Sequence, residues 1–181
     1  NSNNIEYTIE ANPKTITSKK AIAMKQYGIN RVSLGLQSAN EIELKVLNRI
    51  HSFKDLEESI DILKAHGISN INIDLMYAIA NQTIESFENS IQKVLVLKPA
   101  HISCYSLILE EGTALYKLHK ENKITFPTED EDISMYELAV KMLTSAGYEH
   151  YEISNFALSG RKCSHNITYW KVKPYLGFGV S

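Results

Sequence analysis

Four polar residues stand where this chain's strands should end or turn their side chains inward: Glu10, Gln37, Arg49 and Asp74. Glu10 closes a strand-like run, and a carboxylate there can accept hydrogen bonds from a diol. Gln37 follows the apolar run Val32–Leu36 and can both donate and accept. Arg49, in Asn48-Arg-Ile-His51, has a planar fork that clamps carboxylates in bidentate fashion. Asp74 interrupts a segment rich in Ile and Leu, and a carboxylate drawn into a core must find partners. Together they point to one polar small-molecule site. Each also has an ordinary reading. Glu10 can be solvated, Gln37 can tie down a loop, Arg49 can pair with Glu43, and Asp74 can bond to backbone amides.

A second constellation is Cys163-Ser-His-Asn-Ile-Thr-Tyr-Trp170. His165 can ligate a metal or a haem iron. Tyr169 and Trp170 can stack on a flat ring, and Arg161 and Lys162 can meet its acidic substituents. The competing reading is a loop whose aromatics plug the end of the core, with His165 bonded to backbone. A single Cys-x-His pair lacks the second pair that a structural zinc site needs. Cys104, between Ser103 and Tyr105, reads as a small buried residue. His51, His66, His101, His119 and His150 share no motif. Neither a P-loop nor a Gly-x-Ser-x-Gly elbow is present.

The elements that position these residues repeat. Three times a helical run ends in glycine, then Ile or Tyr, then a strand: at Gly28, Gly67 and Gly147, 39 and 80 residues apart. Glycine after a helix suits the left-handed C-cap. β-branched strands alternating with amphipathic helices favour successive βα units around a parallel sheet. The pattern predicts strands at Ile5–Glu10, Val32–Leu36, Asn70–Tyr77 and His101–Leu109, with a fifth over Tyr148–Phe156. On the third, Ile71, Ile73 and Leu75 share one side and Asn72 and Asp74 the other. Helices are predicted from Thr17 or Ser18 to Tyr27, and over Glu41–Leu47, Phe53–His66, Ile84–Leu97, Ala114–Asn122 and Glu129–Ala146. Ile84 and Ile133 count among their apolar positions. Residues 157–170 read as a polar, aromatic loop, and Pro174–Ser181 as an apolar, glycine-rich tail. The polar opening, Asn1-Ser-Asn-Asn4, reads as a frayed edge.

The fold class that follows is α/β: a partial TIM-like barrel, incomplete at its N-terminus. A full eightfold barrel needs about 250 residues, and this chain has 181. Residues 1–147 are expected to form the partial barrel. Residues 148–181 are expected to form its end and the start of an accessory region. A formal net charge of −2 excludes a nucleic-acid-scale positive field. No apolar run has transmembrane length and no secretory signal opens the chain, so with only two cysteines a cytoplasmic location is expected.

Many of these segments occur in one order: Glu10-Ala-Asn-Pro13, Asn30-Arg-Val-Ser-Leu-Gly-Leu-Gln-Ser38, Leu47-Asn-Arg-Ile-His51, Asn72-Ile-Asp-Leu-Met-Tyr77, Tyr151-Glu-Ile-Ser-Asn-Phe-Ala157, His165-Asn-x-x-Tyr-Trp170 and Tyr175-Leu-Gly-Phe-Gly179. Over essentially its whole length the chain resembles the radical S-adenosylmethionine family of oxygen-independent coproporphyrinogen III oxidases. The last segments resemble its haem-chaperone branch. The resemblance implies a partial (β/α)6 barrel of the radical SAM type. It implies S-adenosylmethionine contacts at Glu10, Gln37, Arg49 and Asp74, with Glu10 and Asp74 toward the ribose or nearby polar groups and Gln37 and Arg49 toward the methionine end or a second bound molecule. It implies a haem contact at His165, and partners among haem, coproporphyrinogen III and haem-acceptor proteins. The oxidase activity, oxidative decarboxylation of coproporphyrinogen III, is the alternative to haem delivery, and an inactive scaffold is a third reading. The family's Cys-x-x-x-Cys-x-x-Cys loop, which holds a [4Fe–4S] cluster, does not occur here, nor does its Gly-Gly-Gly-Thr-Pro stretch. In the resembled order both precede Glu10, so the cluster cysteines are expected upstream of Asn1. The chain is therefore expected to be a fragment that holds no cluster itself and is inactive alone. The family's Tyr-Gly-Leu-Pro-Gly-Gln-Thr is Tyr77-Ala-Ile-Ala-Asn-Gln-Thr83 here, which predicts a reshaped loop after the Asp74 strand.

Overall fold

The computed structural model describes residues 5–176. In chain order it contains β1 (Thr8–Ala11), a 3-10 turn (Pro13–Thr15), α1 (Ser18–Gln26), β2 (Arg31–Gln37), α2 (Glu41–Val46), α3 (Phe53–Ala65) and β3 (Ile71–Tyr77). Then come α4 (Ile84–Val96), β4 (His101–Ser106), α5 (Ala114–Lys120), α6 (Glu129–Ser145), β5 (Glu149–Glu152), β6 (Asn155–Ala157) and α7 (Ser164–Trp170). One six-stranded sheet runs in the order β1-β2-β3-β4-β6-β5. The first four strands are parallel neighbours in sequence order, as the βα repeat predicts.

Strand alternation sorts the sheet into two unlike faces. Val32, Leu34 and Leu36 of β2, Ile71, Ile73 and Leu75 of β3, and Ile102 and Cys104 of β4 are all buried on one side. They share a core with Leu56, Ile60 and Leu63 of α3, Phe87, Ile91 and Val94 of α4, and Met135, Ala139 and Leu143 of α6. Burying one such side chain stabilises by about 1.5–3 kcal/mol, so this face fixes where the helices dock. The opposite face is polar. It carries Glu10, Ser33, Asn72, Asp74, His101 and Ser103.

The helices start on side-chain caps. Ser52 and Asp55 form a reciprocal capping box on α3, as do Thr83 and Ser86 on α4 and Thr128 and Glu131 on α6. Gly28, Gly67 and Gly147 all take the left-handed conformation that the repeat requires.

Four expectations need correction. Tyr148–Phe156 is not a fifth parallel strand. It folds into a hairpin of β5 and β6, with β6 antiparallel to β4. After α6 the chain runs out along β5 and turns straight back into β6 with no helix between them, so β6 pairs with β4 antiparallel instead of continuing the βα series. Residues 157–170 are not all loop, because α7 occupies Ser164–Trp170. Ile84 is 39% exposed and Ile133 52% exposed, because Ile84 opens α4 and Ile133 begins the second turn of α6, both off the face that meets the sheet. The first strand begins at Thr8, leaving Ile5 exposed. Two further expectations reach beyond the described residues. That for Pro174–Ser181 falls partly outside them, and Asn1, upstream of which the cluster cysteines are expected, lies outside them with Ser2, Asn3 and Asn4.

Candidate functional site

Glu10, Gln37, Arg49 and Asp74 line one cavity of about 520 Å³ on the polar face, together with Asn12, Ser33, Gly35, Ser103 and Tyr105. Local structure explains the arrangement. The β2–β3 register shifts between Gly35 and Gln37, a bulge that adds a residue to β2. Gln37 sits there at φ 71, in the left-handed region, and its side chain folds back over Gly35. A Cβ on Gly35 would lie 2.9 Å from the Gln37 Nε2 and 4.0 Å from an Asp74 oxygen. Gly35 is therefore the floor that lets the amide and the carboxylate approach. Tyr105 donates its O–H to Gln37 Oε1 at 3.0 Å, which turns the amide N–H groups toward that floor. Burial pushes the Tyr105 hydroxyl up to about 12, so it stays a donor.

Arg49 follows Asn48, which takes φ 54 just after α2, and the Arg49 N–H returns to the carbonyl of Leu44 at 2.8 Å. This helix-ending turn aims the guanidinium at Asn12, whose Oδ1 accepts from it at 3.2 Å. Glu43 is not its partner. That carboxylate is buried and receives Ser38 at 2.5 Å, Gln82 at 3.0 Å and Ser86. Buried His51 donates Nε2–H to the Leu36 carbonyl at 3.0 Å. Together they fix the loops that carry Gln37 and Arg49.

Asp74 is bonded to side chains, not to backbone amides. Asn72 Nδ2 donates to it at 2.6 Å, and Ser33 Oγ lies 3.3 and 3.4 Å from its two oxygens. Desolvation raises its pKa, the hydrogen bonds of Asn72, Ser103 and Ser33 oppose that rise, and the nearby Glu10 charge adds to it. The network continues across the sheet. Asn72 Oδ1 accepts from Ser103 at 3.2 Å and from His101 Nδ1 at 2.6 Å. His101 must then carry its proton on Nδ1, leaving Nε2 to accept from Tyr151 O–H at 2.7 Å. Tyr151 in turn accepts from the backbone N–H of Cys163 at 3.3 Å and from Asn166 at 3.4 Å. Burial, and secondarily the Arg31 charge, lowers the His101 pKa to about 3, so the ring is neutral. A continuous polar chain thus joins Asp74 to the start of α7.

His165, on the first turn of α7, lines an adjoining cavity of about 650 Å³ that shares Glu10, Ser33 and Asp74 with the first. Its ring meets Tyr169 edge-on, with centroids 4.8 Å apart. Trp170 donates Nε1–H to Glu152 at 3.0 Å, and Lys162 pairs with Glu149 at 2.7 Å. The most enclosed cation here is Arg31. It is 4% exposed, its Nε has no partner among the described residues, and it too lines the second cavity.

Sequence reasoning missed His101, Tyr151, Arg31, Ser33, Ser103 and Tyr105. The available signal was alternation: each strand residue sits on the Asp74 side of its own strand. Asn72 alone was placed beside Asp74. In the loop after β3, Ala78 and Asn81 take φ 55 and 61, at the two positions where the resembled pattern has glycine. The backbone there is one that glycine favours.

The residue types suit a polar, zwitterionic ligand with a diol, since carboxylates, an amide and a guanidinium face one space. They do not suit an iron–sulfur cluster. Cys104 and Cys163 are both buried, burial raises both thiols, and no three His, Cys, Asp or Glu residues converge as metal ligands among the described residues.

A partly parallel sheet with a polar cavity at the carboxyl edge of its strands is consistent with the sequence comparison. The profile of the Radical SAM superfamily matches residues 1–94, more than half of the chain, and the protein belongs to that family. Beyond the family, it is 40% identical over 97% of its length to the protein named heme chaperone HemW of Lactococcus lactis, and 37% identical over 97% to that of Bacillus subtilis. In each case it covers 46% of the relative, so the chain spans about half the length of the curated relatives it matches. Among solved structures, coproporphyrinogen III oxidase of Escherichia coli superposes with a TM-score of 0.75 over 92% of this chain and 38% of that one. At 22% identity this likeness is one of fold.

Proposed function

We propose that this chain is the larger part of the barrel of a haem chaperone that binds S-adenosylmethionine and haem and hands haem to an acceptor protein. The observation that carries the cofactor reading is the convergence of Glu10, Gln37, Arg49 and Asp74 on one cavity. Glu10 and Asp74 receive the ribose hydroxyls, while Gln37 and Arg49 hold the methionine end. When bound beside a [4Fe–4S] cluster, S-adenosylmethionine supplies a carbon–sulfur bond for one-electron cleavage. The donors of this chain do not fit such a cluster, so its own residues are given binding and orienting roles only. Residues 1–147 supply the barrel and its cofactor site, and residues 148–181 lead into the region that meets haem.

Haem binding is supported by the names of the relatives and by the position of His165 on α7, at a cavity continuous with the first. No helix is long and apolar enough to cross a membrane among the described residues.

The test uses the full-length protein. Asp74→Ala leaves Asn72 and Ser33 without their acceptor. By the usual cost of about 1–3 kcal/mol for unpaired buried polar groups, it should weaken S-adenosylmethionine binding about 5- to 150-fold in calorimetry. His165→Ala should shift the Soret band of bound haemin. Unchanged cofactor affinity removes Asp74 from the site, and an unchanged Soret band and affinity remove His165.

A further inference from the structure

Arg31 is the first residue of β2, on the polar face, next to Thr8 across the β1–β2 ladder. An arginine that is only 4% exposed is normally paired, because an uncompensated buried charge costs several kcal/mol. Its Nε has no partner among the described residues, where the only ion pairs are Lys54–Glu58, Lys123–Glu121 and Lys162–Glu149. The carboxylates of the same cavity are otherwise engaged or distant. Glu6 already accepts from the Ser164 N–H at 3.0 Å and the Cys163 S–H at 3.3 Å. Asp74 holds Asn72 and Ser33, and Glu10 is exposed. None lies within 4.0 Å of an Arg31 nitrogen, the limit for an ion pair. The guanidinium therefore lines a cavity of about 650 Å³ in which, among the described residues, Glu6, Glu10 and Asp74 are present but none is in ion-pair contact with it. That volume falls in the range of about 300–1,000 Å³ typical of small-molecule sites.

We propose that Arg31 is the anchor of an anion subsite in this cavity, where it takes a propionate carboxylate of the porphyrin whose iron His165 faces. This rests on the haem reading above and adds to it. The acidic substituents meet a buried cation on the sheet, not Lys162, which Glu149 already holds. A planar fork in a water-poor setting suits a carboxylate, and the bond is strongest there because neither partner is screened. Asn166 of α7 lines the cavity beside it, and the amide N–H that it does not give to Tyr151 can donate to the second carboxylate oxygen.

The experiment compares haemin with its dimethyl ester, in which both propionates are blocked, by Soret titration of the full-length protein. Wild type should bind haemin at least tenfold more tightly than the ester. Arg31→Met should reduce that ratio below threefold, and Arg31→Lys should leave an intermediate value. Equal affinities in wild type overturn the proposal whatever the variants do. A ratio unchanged by Arg31→Met overturns it as well. If wild type binds neither ligand, the haem reading fails and takes this one with it. If His165→Ala binds haemin as wild type does while the ester ratio still depends on Arg31, the subsite stands and only the axial ligand is wrong.

Discussion

His101 allows a prediction with a worked magnitude. The ring is fully buried, its Nδ1–H is committed to Asn72, and its Nε2 is committed to the Tyr151 hydroxyl. Burial lowers its pKa from 6.5 to about 3. Because the folded value lies below the unfolded one, the unfolded chain binds more protons throughout that interval. Stability is present above pH 6.5 and is lost as pH falls toward 3. At about 1.4 kcal/mol per pH unit, this one group should remove roughly 2 kcal/mol between pH 7 and pH 5, before most carboxylates titrate. Urea midpoints of the protein at pH 7, 6 and 5 give the slope. His101→Gln keeps a donor for Asn72 and an acceptor for Tyr151 but does not titrate, so its slope should be flatter by that amount. In the same interval, the His101 imidazole of ¹³C-labelled wild type should not titrate. A His101 resonance with a midpoint near 6.5, or identical slopes in the two proteins, would refute the reasoning.

Two further perturbations test the scaffolding of the cofactor cavity. Gly35→Ala places a methyl against the flexible Gln37 amide and no backbone. It should leave the unfolding midpoint nearly unchanged while weakening S-adenosylmethionine binding several-fold; a variant that binds normally would show that Gln37 is not held over the floor. Glu43→Ala leaves Ser38, Ser86 and Gln82 without their shared acceptor and should destabilise by about 1–3 kcal/mol, with partial recovery in Glu43→Gln. A midpoint equal to wild type in urea would mean that the loops after β2 and β3 do not depend on this carboxylate.

Local pattern carried most of the barrel. The 2-residue period of β3 identifies both its buried side and the side of Asp74, and the glycines after α1, α3 and α6 mark where helices give way to strands. Gln37 and Arg49 stood out by their places at the end of β2 and just after α2, but each also had an ordinary reading, and it was the ordered family motifs that grouped them with Glu10 and Asp74. The hairpin of β5 and β6 was not legible, since its partner β4 lies some 50 residues earlier and nothing local distinguishes an added antiparallel strand from another parallel one. Helix α7 was hidden by its composition, with only Ile167 and aromatics among polar residues and no side-chain cap. His101 and Arg31 were invisible for a different reason. Their roles come from partners, or a missing partner, set by the fold: Tyr151 is 50 residues away, and the isolation of Arg31 exists only once the cavity has formed.

The polar chain from Ser33 to His101 also bears on how the strands find their alignment. Ser33, Asn72 and His101 stand directly opposite one another across three parallel strands, joined by side-chain bonds of 2.8 and 2.6 Å. Apolar alternation forbids sliding a strand by one residue, since that would turn its core side chains to the polar face. It does not forbid sliding by two, which leaves Ile and Leu on the correct side. A two-residue slide of β3 would move Asn72 away from Ser33, Ser103 and His101 together, breaking the bonds it makes to all three in one motion. The hydrogen bonds therefore discriminate between alignments that hydrophobicity cannot tell apart. The residues that furnish the ligand cavity thus also select the one pairing of strands in which that cavity exists.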